Sequence, residues 1–126
     1  MDSTFSGNFM KYIRLYSGDD GQSHFEELSM DLIDASIGKI SQSFHVSDAI
    51  FGYIEDVPDI SWHNPPCRQY IILLKGAMEI EVGNGASQVF NEGDILLAED
   101  TVGQGHITRA ASEGSRHYLA LPLKDQ

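Results

Sequence analysis

Between residues 60 and 122 the chain is cut into short apolar runs at intervals of roughly 8–12 residues, with a turn signal at each break. Helices of the length that βαβ units need do not fit between such breaks, so the spacing dictates an all-β barrel or sandwich. The runs fall at 69–75, 77–83, 87–90, 94–98, 104–109 and 115–122. Lys75-Gly76 ends the first of them. Gly83-Asn84-Gly85, set between alternating apolar residues, signals a hairpin. Asn91-Glu92-Gly93-Asp94 opens the next run. Polar residues stand at both ends of this meander: Trp62, His63, Asn64 and Gln69 before it, His106 after it. Such convergence fits a barrel with a site in its mouth.

Upstream, Tyr12-Ile13-Arg14-Leu15-Tyr16 is a short strand rich in β-branched and aromatic residues. Ser17-Gly18-Asp19-Asp20-Gly21 is a turn cluster. Ser23 to Leu28 reads as a strand or an irregular arm. Glu26 to Ile40 has some helical look, but Ser, Asp and Gly interrupt it, and it reads as loop with a short turn. Ser43 to Val46 and Ile50 to Glu55 read as strands, and Val57-Pro58-Asp59 is a break. Residues 1–9, polar and small, are expected to be a flexible N-terminal extension, with a single domain over 10–126.

A length of 126 residues suits one domain on a prior of roughly 100–200 residues per domain. The formal net charge of −11, with only eight scattered Lys and Arg, argues against nucleic acid and against an anionic membrane. Residues 1–9 lack the basic and apolar regions of a secretory signal, and no apolar run reaches the ~20 residues of a membrane helix. Cys67 is the single cysteine, which excludes an internal disulfide and fits a reducing compartment. The expected location is cytoplasmic and the expected partner a small molecule.

The central stretch resembles the cupin superfamily, whose first motif has the form G-x5-H-x-H-x3/4-E-x6-G. Gln69 stands where the glutamate would be, and Gly76 follows after six intervening residues. His63 takes the place of the second histidine, one residue further upstream than usual, and Ser61 that of the first. In the second motif, G-x5-P-x-G-x2-H-x3-N, Gly93 matches, Glu99 replaces the proline, Thr101 replaces the glycine, and His106 is the histidine, two residues late. A closer likeness is to small single-domain cupins with Trp-His, Pro-x-x-Gln and Gly-Asp-hydrophobic-Ala-Glu-Asp-Thr patterns. Here these are Trp62-His63, Pro66 to Gln69 and Gly93 to Thr101. The resemblance runs from Tyr12 onward and implies a double-stranded β-helix, the cupin or jelly-roll barrel.

Cupin sites hold Mn, Fe, Ni or Zn on three histidines and a glutamate, so the resemblance implies His63, Gln69 and His106 as metal ligands. Two imidazoles and a neutral amide are a weakened set, which His24, His45, Glu99 or His117 would have to complete. The rival is a metal-free pocket in which His63 and His106 pass a proton and Gln69 orients a carbonyl or hydroxyl. Strand parity points Gln69, Ile71 and Leu73 inward and Arg68, Tyr70 and Ile72 outward. His63 shares the parity of Gln69, subject to the prolines between them.

Three residues are candidate substrate contacts. Tyr53 would supply a phenol. Trp62 would stack on substrate, although capping the barrel is the commoner use of such a residue. Arg109 would hold an anion, although pairing with surface carboxylates is commoner, and the same holds for Arg116. Cys67 reads as a packed or exposed thiol. Glu99-Asp100 reads as a solvated loop, with Glu99 a base if the loop folds inward. Tyr70, Ile72 and Leu74 are too apolar to face water alone, so a homodimer by sheet packing is expected.

The functional expectation is a small-molecule-handling cupin performing lyase- or isomerase-type proton transfer, with His63, His106 and Gln69 as the catalytic set. The alternatives are a metal-dependent enzyme using Mn, Fe, Ni or Zn, and a non-catalytic binding or sensing module.

Overall fold

The computed structural model describes residues 8–55 and 58–124, and it contains no helix among them. Twelve strands follow in order: β1 (Phe9–Ser17), β2 (Ser23–Asp31), β3 (Ile33–Asp34), β4 (Lys39–Ile40), β5 (Ile50–Ile54), β6 (Ile60–His63), β7 (Gln69–Lys75), β8 (Met78–Glu81), β9 (Ser87–Phe90), β10 (Ile95–Glu99), β11 (His106–Ala110) and β12 (Arg116–Pro122).

Strands β5 to β12 alternate between two sheets in a fixed way. One sheet carries the order β5-β12-β7-β10 and the other β6-β11-β8-β9. Eight strands dealt out so that sequence neighbours mostly fall in opposite sheets make the two Greek keys of a jelly roll. The fold is a jelly roll. The expected closure into a barrel is not met, because the two sheets share no hydrogen-bonded ladder among the described residues. β1 extends the larger sheet by pairing in parallel with β10, and β2 pairs antiparallel with β1 along its whole length.

The core lies between the sheets. Leu15, Leu73, Ile80, Val82, Phe90, Leu96 and Ala98 form one buried cluster, with Ile13, Phe25, Ile71 and Tyr118 packed against it. Their alternation along each strand follows from the pleat, which sends successive side chains to opposite faces.

Three stretches differ from their sequence reading. The strand at 23–28 runs on to Asp31, and Ile33 to Ile40 forms the small β3–β4 hairpin rather than a loop. Residues 43–46 hold only an isolated bridge, from Val46 to Leu123. The expected extension over 1–9 falls mostly outside the described residues, although Phe9 already pairs with Asp31.

On the outer face of the larger sheet, Phe51, Leu119, Ile72 and Ile95 form one cross-strand row. Tyr70, on the same face, is covered by Tyr12 and Phe44 edge-on, whereas Phe51 is 75% and Leu74 50% exposed.

Candidate functional site

A cavity of about 360 Å³ lies between the sheets. Its walls are apolar, with Ile71, Leu73 and Leu96 from one sheet and Met78 and Ile80 from the other. Polar groups are few: His63, Asn64, Gln69, His106, Thr108, Arg116 and the phenol of Tyr118. This size and composition are those of a small-molecule site. A smaller hollow of about 220 Å³, lined by Lys11, Glu27, Gln88 and Asp94, lies away from the histidines.

The inward parity expected for Gln69, Ile71 and Leu73 is met. His63 reaches the cavity by a different route. β11 pairs with β6 at His106–His63 and at Thr108–Ile60, so three residues of β6 span two of β11. The extra residue is a β-bulge, and it turns both Ile60 and His63 inward although they are three apart.

The two rings lie 4.5 Å apart, centroid to centroid, at an interplanar angle of 57°. Each uses Nδ1 elsewhere. His63 Nδ1 lies 2.7 Å from the backbone oxygen of Ser61. A carbonyl can only accept, so Nδ1 carries the hydrogen and Nε2 is left to the cavity. Ser61, placed by motif at a ligand position, thus contributes its carbonyl. His106 Nδ1 lies 2.6 Å from Asp100 Oδ2, which also accepts from Ser23 Oγ at 2.7 Å. Asp100 is fully buried and His106 is 5% exposed. Asn64 holds the backbone oxygen of Asp100 at 2.8 Å. Asp100 Oδ1 has no hydrogen-bond partner, so this carboxylate depends on His106 and Ser23 for its stabilisation.

Gly105 makes this juxtaposition possible. Its φ is +76°, and a Cβ there would meet the oxygen of His63 at 2.0 Å. Only glycine combines the left-handed backbone with so close an approach.

The reading of Glu99-Asp100 as a solvated loop is corrected. Glu99 is held by Arg14 and Arg68 on the outer side, and Asp100 is buried behind His106. Asp100 and Ser23 are the functional side chains that sequence reasoning missed. The only signal for Asp100 was the Ala-Glu-Asp-Thr stretch itself, and Ser23 had none.

Other candidates are not brought to the cavity. Arg109 faces outward from β11 among Asp59, Glu79 and Glu81. Tyr53 is exposed, donates to Glu55 and stacks on His117; the hydrogen bond to Glu55 holds its phenol above the usual range. Trp62 is 39% exposed, on the outward side of the bulge. The expectation that these three contact a ligand in the pocket is therefore not met by their placement. His24 pairs with Asp20, whose carboxyl it holds below the usual range, and His45 is exposed. Cys67 is half-buried and not in the cavity wall.

As a metal site the donors are His63 Nε2, His106 Nε2 and the Gln69 amide oxygen. Among the described residues no group of three His, Cys, Asp or Glu side chains is arranged to hold a metal ion. The set suits a cation that prefers imidazole, with water completing its shell, and lacks the carboxylate that would strengthen it.

No family model and no curated protein matches the chain. Among solved structures, protein NMB1881 from Neisseria meningitidis is 18% identical with a TM-score of 0.47, over 75% of this chain and 82% of that one. The protein named for ethanolamine utilization, protein Q, from Salmonella typhimurium is 12% identical with a TM-score of 0.36, over 94% of this chain and 100% of that one. At these values the functional argument rests on the site geometry.

Proposed function

We propose that this chain binds a small organic molecule between its sheets and moves a proton on it. His63 and His106 act as base and acid, and Gln69 orients a carbonyl or hydroxyl. The supporting observation is that both rings spend Nδ1 on a fixed acceptor and present Nε2 to one cavity, His106 being backed by a buried carboxylate. A carboxylate behind an imidazole fixes its tautomer and stabilises the imidazolium once formed. In the step, one Nε2 lone pair takes a proton from carbon next to a carbonyl. The electron pair moves to the carbonyl oxygen, toward a Gln69 N–H. The other ring enters the step as an imidazolium and gives its Nε2 proton to a different atom, which gives isomerisation, or to a leaving group, which gives elimination, so the two rings exchange one proton per turnover.

The test is solvent exchange. A panel of small carbonyl compounds in D2O, followed by NMR, is expected to exchange C–H for C–D in the presence of the protein. His106→Ala and His63→Ala are expected to abolish that exchange. Compounds that raise the melting temperature without any exchange would overturn catalysis and leave a binding module.

A second reading is favoured by the same hydrogen bonds, since metal-bound imidazoles usually give their other ring N–H to a carboxylate or carbonyl. His63, His106 and Gln69 would hold the ion, and a Mn, Fe, Ni or Zn ion there would supply Lewis acidity. About one equivalent of metal in untagged protein, lost in both histidine variants, would support it.

The chain is further proposed to act as a homodimer through the outer face of its larger sheet, on the strength of the row from Phe51 to Ile95.

A further inference from the structure

The one charged arginine in the cavity wall has no role in the proton transfer above. Arg116 opens β12 and is 5% exposed. It lines the same cavity as the histidines. Among the described residues its side chain makes no ion pair and no hydrogen bond. Arginine stays charged at any pH a protein survives, so a nearly buried guanidinium stands in the cavity wall without a counter-charge. The more exposed Arg14 and Arg68 are not like this, since they share Glu99.

The stem of Arg116 is held in place. Gly76, at φ +80°, closes the turn after β7, and a Cβ on it would meet Arg116 Cγ at 2.8 Å. The glycine leaves the space in which the arginine lies. The register of β12 then sets where it lies. Pro122 pairs with Gln69, and His117 pairs with Lys75 at the other end of β7. Arg116 is therefore at the far end of the cavity from Gln69, separated along the strand by six residues, on the order of 20 Å at a rise of ~3.3 Å per residue, less the reach of the side chain. Between the two ends the wall is mostly apolar, with Leu73, Ile80 and the ring of Tyr118.

We infer that Arg116 is the anchor for a carboxylate, so that the ligand of this cavity is an elongated organic acid. Its carboxylate sits on the guanidinium fork, its apolar middle on Leu73, Ile80 and Tyr118, and its reacting end at His63 and His106. A planar guanidinium meets a carboxylate through two parallel N–H···O bonds, and a desolvated one gains most from doing so. The last part of this assignment rests on the proton-transfer reading. The anchor itself does not.

The experiment uses the full chain and a series of straight-chain monocarboxylates from butyrate to decanoate, each beside its neutral primary amide, read by thermal shift and calorimetry. The acids are expected to raise the melting temperature, with an optimum length, and the amides to bind at least tenfold more weakly. Arg116→Met is expected to erase the difference between acid and amide. Arg116→Lys keeps the charge but loses the fork, and is expected to retain only part of it. Equal binding of acid and amide by the parent overturns the anchor, even if Arg116→Met fails to fold. So does an acid series that gives no shift at any length, or Arg116→Met binding the acids unchanged. Acids that bind through Arg116 in a protein that catalyses no exchange leave the anchor standing and remove the proton-transfer reading.

Discussion

At the scale of single residues, the site turns on Asp100. Its carboxylate holds His106 Nδ1 from behind, and an amide in its place removes the negative charge that stabilises an imidazolium there. Asp100→Asn is therefore expected to lower the D2O exchange rate by about 10²–10⁴-fold, the usual worth of a positioned acid or base. The far-ultraviolet circular dichroism should be unchanged. Gly105→Ala acts on the same pair through the backbone. It forces φ +76° on an alanine and drives its Cβ into the oxygen of His63, so a loss of at least ~1–3 kcal/mol is expected in urea unfolding. His63, Gln69 and His106 could be read from the chain because a chemically distinctive residue in a turn-bounded strand announces itself. Asp100 could not. Its burial comes from Ser23, which lies 77 residues away in sequence, and next to Glu99 and Thr101 it reads as a solvated loop.

At the scale of elements, β7 shows how one strand serves two surfaces. Its inward residues wall the cavity, while Tyr70 is packed outward beneath Tyr12 and Phe44. Burial pushes the Tyr70 phenol up to about 12. Below pH 10 the phenol is neutral in the folded and the unfolded chain alike. Between pH 10 and 12 the unfolded chain gives up the proton and the folded one keeps it, so stability falls as pH rises through that window. Melting temperatures measured from pH 9 to 12 are expected to drop, and Tyr70→Phe is expected to flatten the drop. A Tyr70→Phe profile as steep as that of the parent would contradict this. From β7 onward the strands were legible within a residue or two, because glycine turns cut the chain cleanly. β2 was not fully legible. Its outer half is mostly exposed and polar, and what makes it a strand is backbone pairing with β1, which leaves little mark on side-chain pattern. The same limit explains Trp62 and Arg109. A one-residue bulge in β6 decides which of its side chains face inward, and Arg109 on β11 meets Glu79 and Glu81 of the neighbouring β8, a pairing that the strand pattern did not reveal.

At the scale of the whole molecule, the jelly roll was legible from spacing and resemblance, whereas its division into two unclosed sheets was not. Turn signals fix where strands end and not which edges meet. The row from Phe51 to Ile95, exposed at Phe51 and half-buried at Leu119, Ile72 and Ile95, carries the proposed dimer. Sedimentation is expected to give twice the 13.9 kDa of one chain, and Phe51→Asp to halve it. A parent that sediments at 13.9 kDa at tens of micromolar would refute the dimer.

The parallel ladder between β1 and β10 joins residues more than eighty positions apart, and Ser23 meets Asp100 beside it. On a ribosome, then, the first hairpin is made long before the strand it must lie against. Until Leu96 to Glu99 emerge, Ile13 and Leu15 present an open edge with nothing to pair with. Local contacts can form the hairpin early, but the chain must wait for nearly its whole length before the edge closes. The carboxylate behind His106 is finished in the same event, so a nascent chain acquires its chemistry only when it loses its stickiest surface.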